Sequence, residues 1–527
     1  MRRRDFLTAT AGAAGGFMAG PVAAALAPCP PQRLSVRGGN SSTSSCDANP
    51  SGRAPGWFRQ LAPMQWSSLA GGSSMSDPLQ RGMRLADAVP PPPYVANNGP
   101  RSLTTGWNGA CVDAENMEMI VALNGGHAAR QENDAYSLNL GAETPGWRRI
   151  VESTPATDVV SGARYLTNEP ILDPAGIVYQ SPTLLPGWAL DGPHPGIAFD
   201  DRDPDLSLVR RRPRTLHTCS HYHYSNGKIW YPIMNAWDRG TGETSLVKLA
   251  LDIEGLRRDP SLGKWRYGDP APWHYLGTIQ EQKNGRTDAF GFGVGALDRS
   301  SGKLWYVGQR SASYWSLETL GPSAGRHSFF SDAPREKDLS SSAGAIAHDV
   351  RKTDGQTTSL FVMLEQGSLR IWIFDTSLAG TGRAWSAVVP DKAAELQWSH
   401  NLQKQSPGYV GHPAAYGMVY DAAGKCFLAY NCDQMPDRAA VRVLRMPLRS
   451  DGTYDPAGRW RWSEVRLGSI GPDENNPTAQ GIGGDGGSYT RFNCMPDFAG
   501  TGESLLLHLS RHDRATWVCR LPANAFA

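Results

Sequence analysis

The stretch Asp113 to Ala122 reads D-A-E-N-M-E-M-I-V-A, and it returns in altered form along the chain. Asp298 to Val307 is D-R-S-S-G-K-L-W-Y-V, Asp421 to Ala429 is D-A-A-G-K-C-F-L-A, and Ser225 to Pro232 is S-N-G-K-I-W-Y-P. Each is a polar turn with Gly or Asn on hand for positive φ, followed by a short apolar run. Each therefore predicts the second half of a β-hairpin. Another strand follows, as in Ala135 to Leu140 or Leu369 to Asp375, and then one opened by tryptophan: Trp147, Trp265, Trp385 and Trp462. Four short strands per unit of roughly fifty residues are the signature of a β-propeller blade. Separate small sandwiches are disfavoured, because no unit has enough strands to bury its own apolar faces, whereas stacked blades share theirs.

Units counted this way lie at about 101–152, 214–280, 286–335, 341–390, 411–467 and 485–523, which predicts six blades in an all-β fold. The last unit lacks a fourth strand opened by tryptophan. Trp66-Ser67-Ser68-Leu69, near the other end of the chain, can supply it. Closing the ring with strands from both termini leaves no open edge. Residues 153–213, rich in Pro and Gly, read as a long insertion between blades one and two and leave room for a seventh blade. The expected organisation is an export signal over 1–27, a flexible Ser/Asn/Gly-rich leader over 28–56 and a propeller over 57–527.

Composition narrows the function. The 527 residues carry 52 basic and 50 acidic side chains, a formal net charge of +2, which removes the attraction to phosphate that nucleic-acid binders rely on. With 58 Gly and 39 Pro there is little room for long helices. Arg2-Arg3-Arg4-Asp5-Phe6-Leu7, the uncharged run Thr8 to Ala27 and the A-x-A site Ala23-Ala24-Ala25 read as a twin-arginine export signal. A periplasmic or secreted protein is expected, with no membrane contact once the signal is removed, because no later run is apolar enough to span a bilayer. The sequence leaves oligomeric state open. An oxidising compartment permits disulfides, with Cys29 and Cys46 as one candidate pair and Cys494 and Cys519 as another. No C-x-x-C and no zinc-type quartet is present, so no structural metal is expected.

Asn124-Gly125-Gly126-His127, then Asn133-Asp134-Ala135-Tyr136-Ser137-Leu138 and Trp147, resembles a kelch repeat: a di-glycine ending the second strand, a Tyr in the third and a Trp in the fourth. The resemblance extends loosely over most of 100–523 to bacterial kelch-type propellers with a galactose-oxidase-like central domain. Only the first blade keeps the whole pattern. Blades two to five put Met234-Asn235, Gly308-Gln309, Glu365-Gln366 and Asn431-Cys432 where the di-glycine belongs, and blade six lacks it too. The resemblance implies a propeller fold and no particular activity, because propellers host many chemistries.

In such a ring, the loop into each first strand and the loop after each second strand emerge on one face, around the central channel. That rule gathers Arg101 and His127 from blade one, His217, His221, His223 and Tyr224 from blade two, Arg310 from blade three and Arg491 from blade six. In Leu216 to Tyr224, L-H-T-C-S-H-Y-H-Y, an extended chain puts His217, Cys219, His221 and His223 on one side and Tyr222 and Tyr224 on the other. Imidazoles so spaced suit a general base, or a transition metal bound by His217, His221 and His223. Packing at a blade interface is the competing use, and no cofactor is expected.

Two enzymatic schemes fit. In β-elimination on an acidic polysaccharide, Arg310 or Arg101 neutralises a uronate, His217 or His127 removes the C5 proton, and Tyr224 protonates the leaving oxygen. His221, His223 and Arg491 would add substrate contacts, with Trp237 and Trp315 as stacking platforms. A copper-radical oxidase of the galactose-oxidase type ranks below it, because that chemistry wants a Cys–Tyr crosslink and a further C-terminal β domain, and this chain ends just after its last blade. The non-enzymatic alternative is a propeller that holds a glycan or a protein without turning it over.

Overall fold

The computed structural model describes residues 54–69, 83–89, 103–104, 108–124, 134–152, 171–172, 178–179, 218, 222–237, 244–264, 272–279, 294–307, 312–316, 327–330, 343–365, 368–396, 398, 416–431, 437–472 and 488–526. All fall in one packed unit, Asp47–Ala527. A short helix α1 (Gly56–Gln60) precedes the first strand, β1 (Trp66–Ser68). Blade one is β2 (Cys111–Asp113), β3 (Glu118–Ala122), β4 (Ala135–Asn139) and β5 (Gly146–Val151). Within the insertion, β6 (Ile171–Leu172) pairs with β7 (Val178–Tyr179). Blade two is β8 (His223–Ser225), β9 (Lys228–Trp237), β10 (Thr244–Asp252) and β11 (Trp273–Ile279). Blade three is β12 (Val294–Asp298), β13 (Lys303–Val307), β14 (Ala312–Ser316) and β15 (His327–Phe330).

Blade four is β16 (Gly344–Arg351), β17 (Thr357–Leu364), β18 (Ile371–Asp375) and β19 (Trp385–Val388). Blade five is β20 (Gly417–Asp421), β21 (Cys426–Tyr430), β22 (Ala440–Arg445) and β23 (Arg461–Arg466). Blade six is β24 (Phe492–Met495), β25 (Ser504–His508), β26 (Trp517–Leu521) and, as its fourth strand, β1. All pairings within the blades are antiparallel, in simple up-and-down order. The fourth strand of blade two opens at Trp273 rather than at Trp265, which lies outside the described residues. No helix among the described residues is long and apolar enough to cross a membrane.

The ring follows from period-two patterning that is apolar on both faces. In blade one, Cys111, Ile120 and Ala122 pack on Tyr222, Tyr224, Ile229 and Tyr231 of blade two. The alternate residues Val112, Met119 and Val121 pack on Met495, Leu505, Leu507 and Val518 of blade six. Trp230 and Ala250 meet Leu297 and Leu304 between blades two and three, and Val294 and Trp305 meet Phe361 and Phe374 between three and four. One large cluster then runs through blades four, five and six. Blade one touches both two and six directly, so six sheets close the circle.

The repeated Asp earns its place as a turn anchor. The Asp113 carboxylate accepts from the Glu115 and Asn116 amides, and that of Asp421 from the Ala423 and Gly424 amides. With the turn held this way, the left-handed position falls to Met117 (φ 54) and Lys425 (φ 49) rather than to the Gly or Asn expected there. In blade two, Asn226 and Gly227 do take it.

At the seam, Trp66 pairs with Cys519 and Ser68 with Trp517, as the sequence pattern predicts. The amide of Trp66 also donates to Leu467 O, whose own amide donates to Ala439 O. The closing strand is therefore tied to blade five as well as to blade six. The Cys494–Cys519 pairing is absent. Leu506 on the middle strand lies between them, and both thiols are free. Two strand spacings are too far for a disulfide.

Candidate functional site

First strands start together at one end of the ring. The amide of Gly109 donates to Thr218 Oγ1 and that of Ala110 to Thr490 Oγ1. Gly417, where β20 begins, lies so close to Tyr489 and Phe492, where β24 begins, that a Cβ would fall 2.2 Å from Tyr489 O. Loops into first strands and after second strands thus share this entry end, and the Asp-anchored turns share the other.

At the entry end, Arg491 and two residues of the blade-two segment, Thr218 and Tyr222, approach the chain at 108–109 from opposite sides. Arg491 Nε donates to Asn108 O, and its Nη1 to Leu509 O and Ser510 O. Tyr222 OH donates to Gly109 O, and Thr218 Oγ1 to Asn124 Oδ1. Arg491 is 1% exposed. Its guanidinium is taken up by carbonyls that lock blade six to blade one. Behind it His508 is wholly buried, 5.0 Å edge-on from Tyr430, and burial together with Arg491 drives its pKa well below the ordinary value.

Tyr224 sits elsewhere. Its hydroxyl is at the turn end, where Arg257 Nη1 donates to it at 3.2 Å. Arg257 Nη2 bridges Asp113 Oδ2 (2.5 Å) and Glu118 Oε2 (2.7 Å). Burial, then the Asp113 charge, raises the Tyr224 hydroxyl far above its usual range. Tyr224 is thus fixed as a partner of this ion cluster, away from the entry end where it was expected to act. His223, facing away from Tyr222 and Tyr224, is half-buried. The register sets Trp237 against Thr244 at the entry end of blade two and Trp315 against Leu304, towards the turn end of blade three. His127, His217, His221, Arg101 and Arg310 lie outside the described residues. No group of three or more His, Cys, Asp or Glu among the described residues is arranged to hold a metal.

A cleft of about 1040 Å³ opens along the closing strand, between blades five and six. Trp57 and Leu61 of the α1 region line one end, Arg514 and Ala515 of the β25–β26 loop the other, and Arg438 and Ile470 of blade five its side. The wall is built closely: a Cβ on Gly471 would meet Arg438 O at 2.0 Å. Trp57 is a fixed platform. Its indole N–H donates to Ala142 O at 3.0 Å, and its ring meets Phe58 and Phe498 edge-on at 6.1 and 5.9 Å. Trp66 and Trp517 are almost buried and contribute edges. Two donors at the cleft, Trp66 Nε1 and Arg514 Nε, are buried with no hydrogen-bond partner among the described residues. Buried donors are almost always satisfied, so two together in one cleft leave room for a ligand that brings acceptors.

The sequence reading passed over this cleft. Its residues come from α1, β1, two loops and a strand tail, which only ring closure brings together. The sole local signal was Trp57 beside Trp66, outside any complete unit.

No family model and no curated protein matches the chain. Among solved structures, the periplasmic gluconolactonase of Pseudomonas aeruginosa matches over 79% of this chain and 86% of its own, at 10% identity and a TM-score of 0.33. An oligogalacturonate lyase in complex with manganese matches over 80% and 92%, at 10% identity and a TM-score of 0.30. At those scores neither likeness brings a substrate or a residue role to this chain.

Proposed function

We propose that this protein is an exported kelch-type propeller that holds a carbohydrate in the cleft at its ring seam. One observation carries the reading: a roomy cleft in which a rigid, half-exposed indole stands beside two buried donors that lack acceptors. A sugar offers what those groups want, a C–H face for Trp57 and hydroxyl oxygens for Trp66 Nε1 and Arg514 Nε. The twin-arginine reading of residues 2–27 supports export to a compartment where glycans are met.

Titrating the intact protein with a panel of oligosaccharides and following tryptophan fluorescence tests this, since three indoles line the cleft. At least one saccharide is expected to shift the emission saturably. A panel with no saturable response overturns the reading.

Lyase chemistry is the enzymatic extension. It rests on His217 or His127 as base and Arg310 or Arg101 as clamp, with the acid to be found nearer the entry end than Tyr224. Incubation with uronate polysaccharides should then produce the ultraviolet absorbance of an unsaturated uronate, lost in His217→Ala and retained in His127→Ala if His217 is the base. A flat trace across the panel leaves binding without turnover.

A further inference from the structure

We infer that the seam cleft selects an acidic saccharide, one whose carboxylate or sulfate is received by Arg514. The inference rests on the carbohydrate reading above and adds the charge of the ligand.

Among the described residues, three ionisable side chains line the cleft: Asp437, Arg438 and Arg514. The carboxylate among them is already committed. Asp437 Oδ2 lies 3.0 Å from Arg466 Nε, and Oδ1 accepts the Ala439 amide. The nearest carboxylate in sequence to Arg514 is also engaged, because Asp513 takes a two-pronged contact from Arg511, Nε at 2.7 Å and Nη2 at 2.6 Å. Arg514 is thus a guanidinium whose buried Nε has no acceptor among the described residues, between two carboxylates that other arginines have claimed. Leaving a charged donor unmatched is costly, and a planar anion that accepts two parallel N–H bonds is its natural complement.

Arg438 stands on the same side as a second cation. Its main chain is fixed, with Tyr430 OH donating to Arg438 O and Gly471 packed against that carbonyl. The donor of Trp66 and the platform of Trp57 lie further along the cleft, so a sugar ring can stack while its acidic group reaches Arg514. A neutral saccharide would satisfy the indoles and leave the cation bare. The acidic group comes from one of two sources, a uronate carboxylate or a sulfate ester, and both share this chemistry.

The test titrates the full-length protein with oligogalacturonate, dextran sulfate and uncharged dextran, in low and in moderate salt. Expected is saturable binding of one or both acidic polymers, weakening with salt, and dextran at least about tenfold weaker. Arg514→Ala should lower acidic affinity about tenfold or more and abolish the preference over dextran, with the unfolding midpoint little changed because the buried Nε has no hydrogen bond to lose among the described residues. Arg514→Lys should recover part of the affinity. Equal binding of dextran and the acidic polymers, or a preference that survives Arg514→Ala, overturns the acidic assignment while leaving a carbohydrate site in place. No binding of any of the three, with none elsewhere in the oligosaccharide panel, takes the carbohydrate reading down as well.

Discussion

The turn end of the ring and the seam cleft both hold arginines near carboxylates, yet they are used oppositely. Between blades one and two, Arg257 spans Asp113 and Glu118 and also reaches Tyr224, and the Asp113 side chain is fully buried. Between blades three and four, Asp298 collects His348 Nδ1, Ser300 Oγ, Ser301 Oγ and Ser359 Oγ. In both places each charge meets a complement from the neighbouring blade. At the seam the acceptors are spent on other arginines, and donors remain. Saturated polar clusters hold blades together, whereas an unsaturated one between well-packed walls is shaped for something that arrives from outside.

The largest expected effect is at the saturated end. Arg257→Ala leaves the buried Asp113 carboxylate without its cation and Glu118 with Arg148 alone, and should cost about 3–5 kcal/mol, read from urea unfolding midpoints. Saccharide affinity should not change. A variant of normal stability with lost binding would reverse the assignment of the two regions.

Asp298→Asn should cost about 1–3 kcal/mol at neutral pH, because the amide cannot accept all four bonds. Burial alone would raise this carboxyl, but the bonds from His348, Ser300, Ser301 and Ser359 outweigh it and hold it well below the usual carboxylate range. A depressed folded pKa means that the unfolded chain binds its proton first. The contribution is therefore complete above the ordinary value of about 3.9 and is lost as pH falls through the lower folded one. Wild-type and Asp298→Asn stabilities should converge only in strong acid. Convergence already at pH near 5 would show that the cluster is weaker than its geometry.

These turn-end residues were visible in the chain itself. Asp113, Asp298 and Asp421 opened the repeated stretches because each must cap a tight turn and face the next blade, a local demand that leaves a local mark. Trp66 was readable for a similar reason: a blade short of one strand needs an edge partner, and the pattern said where to look. Arg491 lies at the entry end, but its work is to bind carbonyls, and no spacing rule tells a carbonyl lock from a ligand clamp. Tyr224 was misplaced because β8 is short, so that two residues of extended chain carry it from the entry end to the turn. The cleft was invisible, since Trp57, Arg438 and Arg514 lie hundreds of residues apart or on irregular chain where period carries no information.

Gly471→Ala asks whether the cleft wall matters. The new Cβ would overlap Arg438 O and C at 2.0 and 2.1 Å, so one of two backbone segments must move. Overpacking of this kind costs about 1–3 kcal/mol. It should also displace Arg438 and weaken saccharide binding more than Arg438→Ala does, since it shifts the main chain that carries the side chain. Reduced stability with unchanged affinity would put the ligand away from this wall.

His508 offers the smallest and most selective effect. It is buried near Arg491, and its pKa is driven down by burial first and by that cation second. The folded protein keeps it neutral where the unfolded chain, titrating near 6.5, takes up a proton. Stability should therefore fall as pH drops below about 6.5, by roughly 1 kcal/mol at pH 5.5 from this residue alone. In His508→Gln, which cannot titrate, that part of the slope should vanish, although the variant starts from lower stability at pH 7 for want of the ring's packing against Tyr430 and Phe492. The comparison is between slopes, so a lower starting point does not obscure it. Identical slopes in the two proteins would mean that the entry end admits the proton, and with it water, to a place where the packing of blades five, six and one leaves no room for either.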